Sequence, residues 1–154
     1  MSGNAPEIEL PQLPNARVAI ISSSWHLDIC NDLIAGAERA LAAAAIKNVE
    51  VIYVPGSFEI PLASQIAFEK GFDAVVAVGL VLEGQTPHFD YVCQGVTQGV
   101  MDVSLKFSAP IGFGVLMCNT LDQAVARSGR PGSSEDKGYD SAVAAIKLLQ
   151  LKEG

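Results

Sequence analysis

Two hydrophobic signatures take turns along the chain. Short, nearly continuous apolar runs occupy residues 17–23, 50–54, 74–82 and 110–118. Runs of that length, bounded by turn residues, read as strands buried on both faces of a parallel sheet. Between them the apolar positions recur at the helical period. Cys30, Leu33, Ile34, Ala37, Leu41 and Ala44 mark a helix over about 27–46. Phe89, Cys93, Val96, Val100, Val103 and Phe107 mark another over 87–107, and Tyr139, Ala142, Val143, Ile146 and Leu149 mark the last. A further helix runs from the Gly56-Ser57 turn to Lys70 and stops at Gly71, and a short one follows Thr120. The order β-α-β-α-β-α-β-α-α predicts a three-layer α/β/α sandwich around a four-stranded parallel sheet.

Residues 1–15 stand apart. Pro6, Pro11 and Pro14 exclude a helix there, so an extended arm precedes a single domain over 16–154. Ile8 and Leu10 equip that arm to pair with something, a neighbouring subunit included.

The most informative stretch is 79–92, reading Gly-Leu-Val-Leu-Glu-Gly-Gln-Thr-Pro-His-Phe-Asp-Tyr-Val. A buried strand ends, Glu83-Gly84-Gln85 turns, and a helix opens with Thr86 as N-cap, Pro87 at the first position and Asp90 in the first turn. In a parallel sheet the space beyond the strand carboxyl ends is where ligands bind. Free amides at a helix start favour an anion there. His88 sits at the same mouth, a proton-transfer group beside an anion cradle. The alternative is a well-capped helix with a surface histidine.

Other strand ends add to the mouth. Trp25, the only tryptophan, stands between the first strand and its helix, either as a packed cap or as a shelf for a flat heteroaromatic ring. Ser57 and Glu59 follow the second strand; Glu59 suits the helix dipole and also suits a polyol. Thr120 and Gln123 form a capping box, and Arg127 lies in the last turn of that helix. An irregular loop, 130–138, carries Lys137. Gly112 and Gly114 flank Phe113 in the fourth strand and admit a close neighbour.

Composition narrows the classes. The 154 residues are 49% apolar with a net charge of −7, and no Lys/Arg cluster offsets that charge. Nucleic acid is therefore disfavoured as a partner. No apolar run approaches the length of a membrane span. Cys30, Cys93 and Cys118 are odd in number and lack metal-ligand spacing, so they read as core fillers in a soluble, cytoplasmic protein. The Rossmann glycine pattern and the P-loop are absent.

Three strand-end segments together resemble lumazine synthase (6,7-dimethyl-8-ribityllumazine synthase). They are Val-Pro-Gly-Ser-Phe-Glu-Ile-Pro at 54–61, the 79–92 stretch, and Gln-Ala-Val-Ala-Arg at 123–127 followed by Glu-Asp-Lys-Gly at 135–138. The likeness covers roughly residues 16–150 and looks closest to the actinobacterial branch. It implies a flavodoxin-like arrangement and an enzyme without metal or redox cofactor. That enzyme would condense 5-amino-6-(D-ribitylamino)uracil with 3,4-dihydroxy-2-butanone 4-phosphate, the penultimate step of riboflavin biosynthesis. The resemblance implies that Trp25 stacks on the pyrimidine and that Ser57, Phe58 and Glu59 hold the ribityl chain or the ring edge. It gives the backbone of Val81 and Leu82 to the pyrimidine, Gly84, Gln85 and Thr86 to the phosphate with Arg127 as counter-charge, and His88 to general acid–base work. Phe113 and Lys137 match positions that face the site, Phe113 from the adjacent subunit.

Two departures from the family pattern stand out. Glu83 occupies a place where many relatives carry a basic residue, next to the phosphate loop. The segment between Arg127 and Lys137 is longer than in relatives that build icosahedral shells, which implies a homopentamer rather than a sixty-subunit particle. Two rivals remain at this point. One is a non-catalytic relative that binds a flavin or pteridine in the same pocket. The other is a flavodoxin-like or receiver-like signalling domain, for which Ser22-Ser23-Ser24 is only a weak phosphate loop.

Overall fold

The computed structural model describes residues 6–154, so the first part of the arm lies outside the described residues. The elements are β1 (Arg17–Ser23), α1 (Leu27–Ala43), β2 (Asn48–Val54), a 3₁₀ turn (Ser57–Glu59), α2 (Ile60–Glu69), β3 (Ala74–Leu82), α3 (His88–Phe107), β4 (Ile111–Cys118), α4 (Leu121–Arg127) and α5 (Lys137–Glu153). All four strands are parallel, in the order β2-β1-β3-β4. This is the expected three-layer α/β/α, flavodoxin-like fold.

Strand alternation sorts the core into two halves. Val18 and Ile20 of β1 with Val76 and Val78 of β3 pack under α1 and α5. Ala19 and Ile21 with Val75 and Ala77 pack under α2 and α3. The central strands are buried on both faces, which explains their continuous apolar sequence.

Small residues let the layers approach. A Cβ on Gly112 would lie 2.1 Å from the Ser141 carbonyl oxygen, so α5 rests directly on β4. A Cβ on Gly138 would lie 2.0 Å from the Leu33 carbonyl oxygen, so α1 and α5 cross with almost no side chain between them.

Several boundaries differ from the sequence reading. Helix α1 ends at Ala43, not near Ile46, because Ala45 turns left-handed at φ 58°. Ile46 is buried all the same, which is why the apolar period seemed to continue. Lys137 is not a loop residue; it opens α5, whose N-cap Asp136 accepts the Tyr139 N–H at 3.2 Å. Cys93 is only half-buried, unlike Cys30 and Cys118, because α3 turns that edge outward. The arm's end docks on its own chain. Leu13 is buried and donates its N–H to the Ala44 carbonyl at 2.8 Å, while the Gln12 side chain reaches the Ala43 carbonyl. Both satisfy carbonyls left unpaired where α1 stops. Among the described residues no helix is long and apolar enough to cross a membrane.

Candidate active site

Strand order reverses between β1 and β3, and the crevice there opens at their carboxyl ends. Ser23 ends β1 opposite Val54 of β2, and Leu82 ends β3 opposite Cys118 of β4. The four following loops therefore share one edge of the sheet.

At the β1–β2 end, Ser24 Oγ donates to the Val54 carbonyl at 2.8 Å and its N–H to the Pro55 carbonyl at 3.3 Å. His26 then reverses the chain in a left-handed conformation, φ 54°. Trp25 is left 69% exposed, so it is not packed as a cap within its own chain. Its indole adjoins Gly56: a Cβ there would stand 3.7 Å from Trp25 Nε1 and 3.1 Å from Glu59 Oε2. Glu59 Oε2 accepts the Gly56 N–H at 2.9 Å, which fixes the carboxylate beside the indole.

Beneath them Ser57 is buried, and its Oγ has no hydrogen-bond partner among the described residues. It lies over Gly79, where a Cβ would come within 2.9 Å of Ser57 Oγ and 2.6 Å of Ser23 Oγ. Glycine at 79 makes that approach possible. An unpartnered buried hydroxyl costs on the order of 1–3 kcal/mol, so a ligand group or water that reached it would be favoured. Phe58 turns outward, 61% exposed, with its ring edge against Gly95 of α3.

At the β3 end, Val81 and Leu82 are half-buried and Gly84, Gln85, Thr86 and His88 are exposed. Helix α3 starts one residue later than the sequence predicts: Pro87, not Thr86, is its N-cap, and Pro87 has no side-chain acceptor to cap with. Thr86 Oγ1 accepts the His88 N–H only at 3.4 Å. Nothing would lie within 4 Å of a Cβ on Gly84, which leaves the loop's inner surface open.

At the β4 end, the Thr120–Gln123 capping box forms. Arg127 Nη1 donates to the Gln123 carbonyl at 2.9 Å, and its Nε faces Glu135 Oε2 at 3.5 Å. Glu135 Oε1 is buried and faces Lys137 Nζ at 3.0 Å, an ion pair whose angle falls outside a hydrogen bond. Asp140 stands 4.0 Å beyond Lys137, and burial pushes its carboxyl above the ordinary carboxylate range. Burial likewise raises the Cys118 thiol, with Arg127 pulling the other way.

Phe113 does not join this mouth within one chain. It pairs with Ala77, five residues back from Cys118, or roughly 16 Å down the strand at about 3.3 Å per residue. It is 41% exposed in an apolar groove of 480 Å³ lined also by Met101, Leu105, Leu148 and Leu151.

The sequence reading gave no site role to Glu135, Asp140 or Asn119, although Glu135 lies in the 135–138 segment. Glu135 and Asp140 flank Lys137 in sequence, a charge cluster that was legible but ambiguous. Asn119 follows β4 as Glu83 follows β3, and only the register of the folded sheet brings the two together.

Comparison with known proteins identifies the family. Residues 15–153 match the family model described as 6,7-dimethyl-8-ribityllumazine synthase. A protein of that name from Streptomyces coelicolor is 49% identical over 147 residues, covering 95% of this chain and 91% of the relative. Proteins of the same name from Pseudarthrobacter chlorophenolicus and from a Mycobacterium species are 49% and 45% identical, covering 95% and 100% of this chain and 94% and 97% of their own lengths. The match spans nearly the whole chain, and the chain belongs to the 6,7-dimethyl-8-ribityllumazine synthase family.

Proposed function

We propose that this chain condenses 5-amino-6-(D-ribitylamino)uracil with 3,4-dihydroxy-2-butanone 4-phosphate, releasing 6,7-dimethyl-8-ribityllumazine, phosphate and water. The observation that carries this reading is the bare Trp25 indole beside Gly56 and the fixed Glu59 carboxylate, at the crevice where β1 and β3 end. A flat heteroaromatic ring stacks on such a shelf, and the carboxylate meets hydroxyls or ring N–H groups at its edge. In this reading Ser57, Phe58 and the backbone of Val81 and Leu82 complete the pyrimidine and ribityl side. Gly84, Gln85 and Thr86 take the phosphate, with Arg127 as counter-charge and Lys137 nearby. His88 moves protons as the amine adds to the ketone, phosphate leaves and the ring closes. Holding both substrates in register supplies much of the rate, since effective molarities of about 10⁵ M are attainable.

The active unit in this proposal is a homopentamer working in the cytoplasm. The distance of Phe113 from its own mouth supports it, because that ring serves a site only from a neighbouring subunit. The apolar groove around Phe113 is a surface such a neighbour covers.

Purified protein supplied with both substrates should release phosphate and form the lumazine in equal amounts. Tight binding of the pyrimidine with no phosphate release would instead mark a flavin- or pteridine-binding relative.

A further inference from the structure

Glu83 looks out of place, a carboxylate next to a loop proposed to hold phosphate. Its surroundings give it another role. The Glu83 N–H donates to the Cys118 carbonyl at 2.9 Å, which carries the β3–β4 pairing one residue past Leu82 and Cys118. Its carboxylate accepts a hydrogen bond from Asn119 Nδ2. Asn119 is itself held, since its N–H donates to Gln123 Oε1 at 2.8 Å. Gln123 in turn accepts Arg127 Nη1 on its carbonyl. A continuous set of hydrogen bonds thus runs from the first residue before Gly84 to the guanidinium at the end of α4.

We propose that Glu83 is a positioning residue: its carboxylate, clamped on Asn119, anchors the start of the Gly84–Gln85–Thr86 loop and holds it in register with Arg127. The inference rests on the phosphate assignment above and deepens it. Gly84 to Thr86 are exposed, and Gly84 has open space around it, so the loop has little other packing to hold it. Main-chain amides bind an anion well only when they are already aimed at it. The clamp also draws the negative charge sideways toward β4, so the carboxylate acts as an acceptor for Asn119 rather than as a free charge facing the loop.

The test separates the clamp from the charge. Glu83→Gln keeps an acceptor for Asn119 and removes the charge; Glu83→Ala removes both. Clamping predicts that Glu83→Ala raises KM for the phosphorylated substrate about three- to tenfold, the net scale of one ordinary hydrogen bond at an exposed site, while Glu83→Gln does not raise it. The KM for the pyrimidine amine stays unchanged in both. Asn119→Asp sets two carboxylates face to face and should raise the same KM. The double variant Asn119→Asp with Glu83→Gln restores a donor–acceptor pair and should recover it, a rescue that a folding defect would not show. A Glu83→Ala protein that binds the phosphorylated substrate as tightly as the parent, or a double variant without rescue, overturns the proposal. If Arg127→Ala also leaves that KM unchanged, the phosphate assignment itself has failed; if Arg127→Ala raises it, only the clamp has.

Discussion

Arg127 Nε lies 3.5 Å from Glu135 Oε2. With Nη1 on the Gln123 carbonyl, two edges of the guanidinium are held before any ligand arrives. Arginine has donors to spare in this arrangement, and lysine does not. Arg127→Ala should therefore raise KM for the phosphorylated substrate by about tenfold or more, and Arg127→Lys should restore little of it. Steady-state kinetics with the amine saturating reads both, and an unchanged KM removes Arg127 from the site.

His88 stands at the exposed start of α3, its N–H 3.4 Å from Thr86 Oγ1. His88→Ala should slow kcat by about 10²-fold, the lower range for one proton-transfer group. Residual turnover should persist, because orientation of the two substrates does not depend on the imidazole. Complete loss of activity in a folded variant would contradict that division of labour.

Gly138 bears on stability rather than chemistry. An added methyl would meet the Leu33 carbonyl oxygen at 2.0 Å, and neither backbone can yield without moving a helix. Gly138→Ala should cost about 1–3 kcal/mol and lower the thermal midpoint. An unchanged midpoint would mean that the α1–α5 crossing opens freely.

Asp140 gives a pH signature. Burial raises its folded pKa above the unfolded value, and the Lys137 ammonium offsets part of that rise. The folded protein thus holds the proton more tightly than the unfolded chain. The associated stability is fully present below the unfolded carboxylate pKa and is lost as pH rises through the folded one. Asp140→Asn should accordingly match or exceed the parent's midpoint at neutral pH, with the difference fading in acid. Thermal denaturation across that range checks the sign, and a less stable Asn variant at neutral pH refutes it.

The segment joining α4 to α5 is pinned. Arg130 Nε bonds Asp32 at 2.8 Å, Arg39 pairs with Asp136, and Ser133 Oγ reaches the Val125 carbonyl at 2.6 Å. In the pentamer proposed above, this pinned loop is the feature expected to obstruct the packing of rings into a shell. Sedimentation should give a mass about five times the 16.2 kDa chain. A particle near sixty chains would overturn the pentamer.

Much of this molecule is written in short-range pattern. Continuous apolar runs specified the buried strands, and Thr120 with Gln123 and Gly71 at φ 93° marked helix ends. Each of those signals involves residues within about one helical turn, so the chain alone determines them. The end of α1 escaped because Ile46 is buried whether the backbone before it is helix or turn. What tertiary structure alone decided is which strand ends lie side by side. Glu83 meets Asn119, 36 positions away, only because β3 and β4 pair Leu82 with Cys118. Trp25 meets Gly56 and Glu59 because β1 pairs Ser23 with Val54. Register across a sheet comes from packing both faces at once, and no local period encodes it.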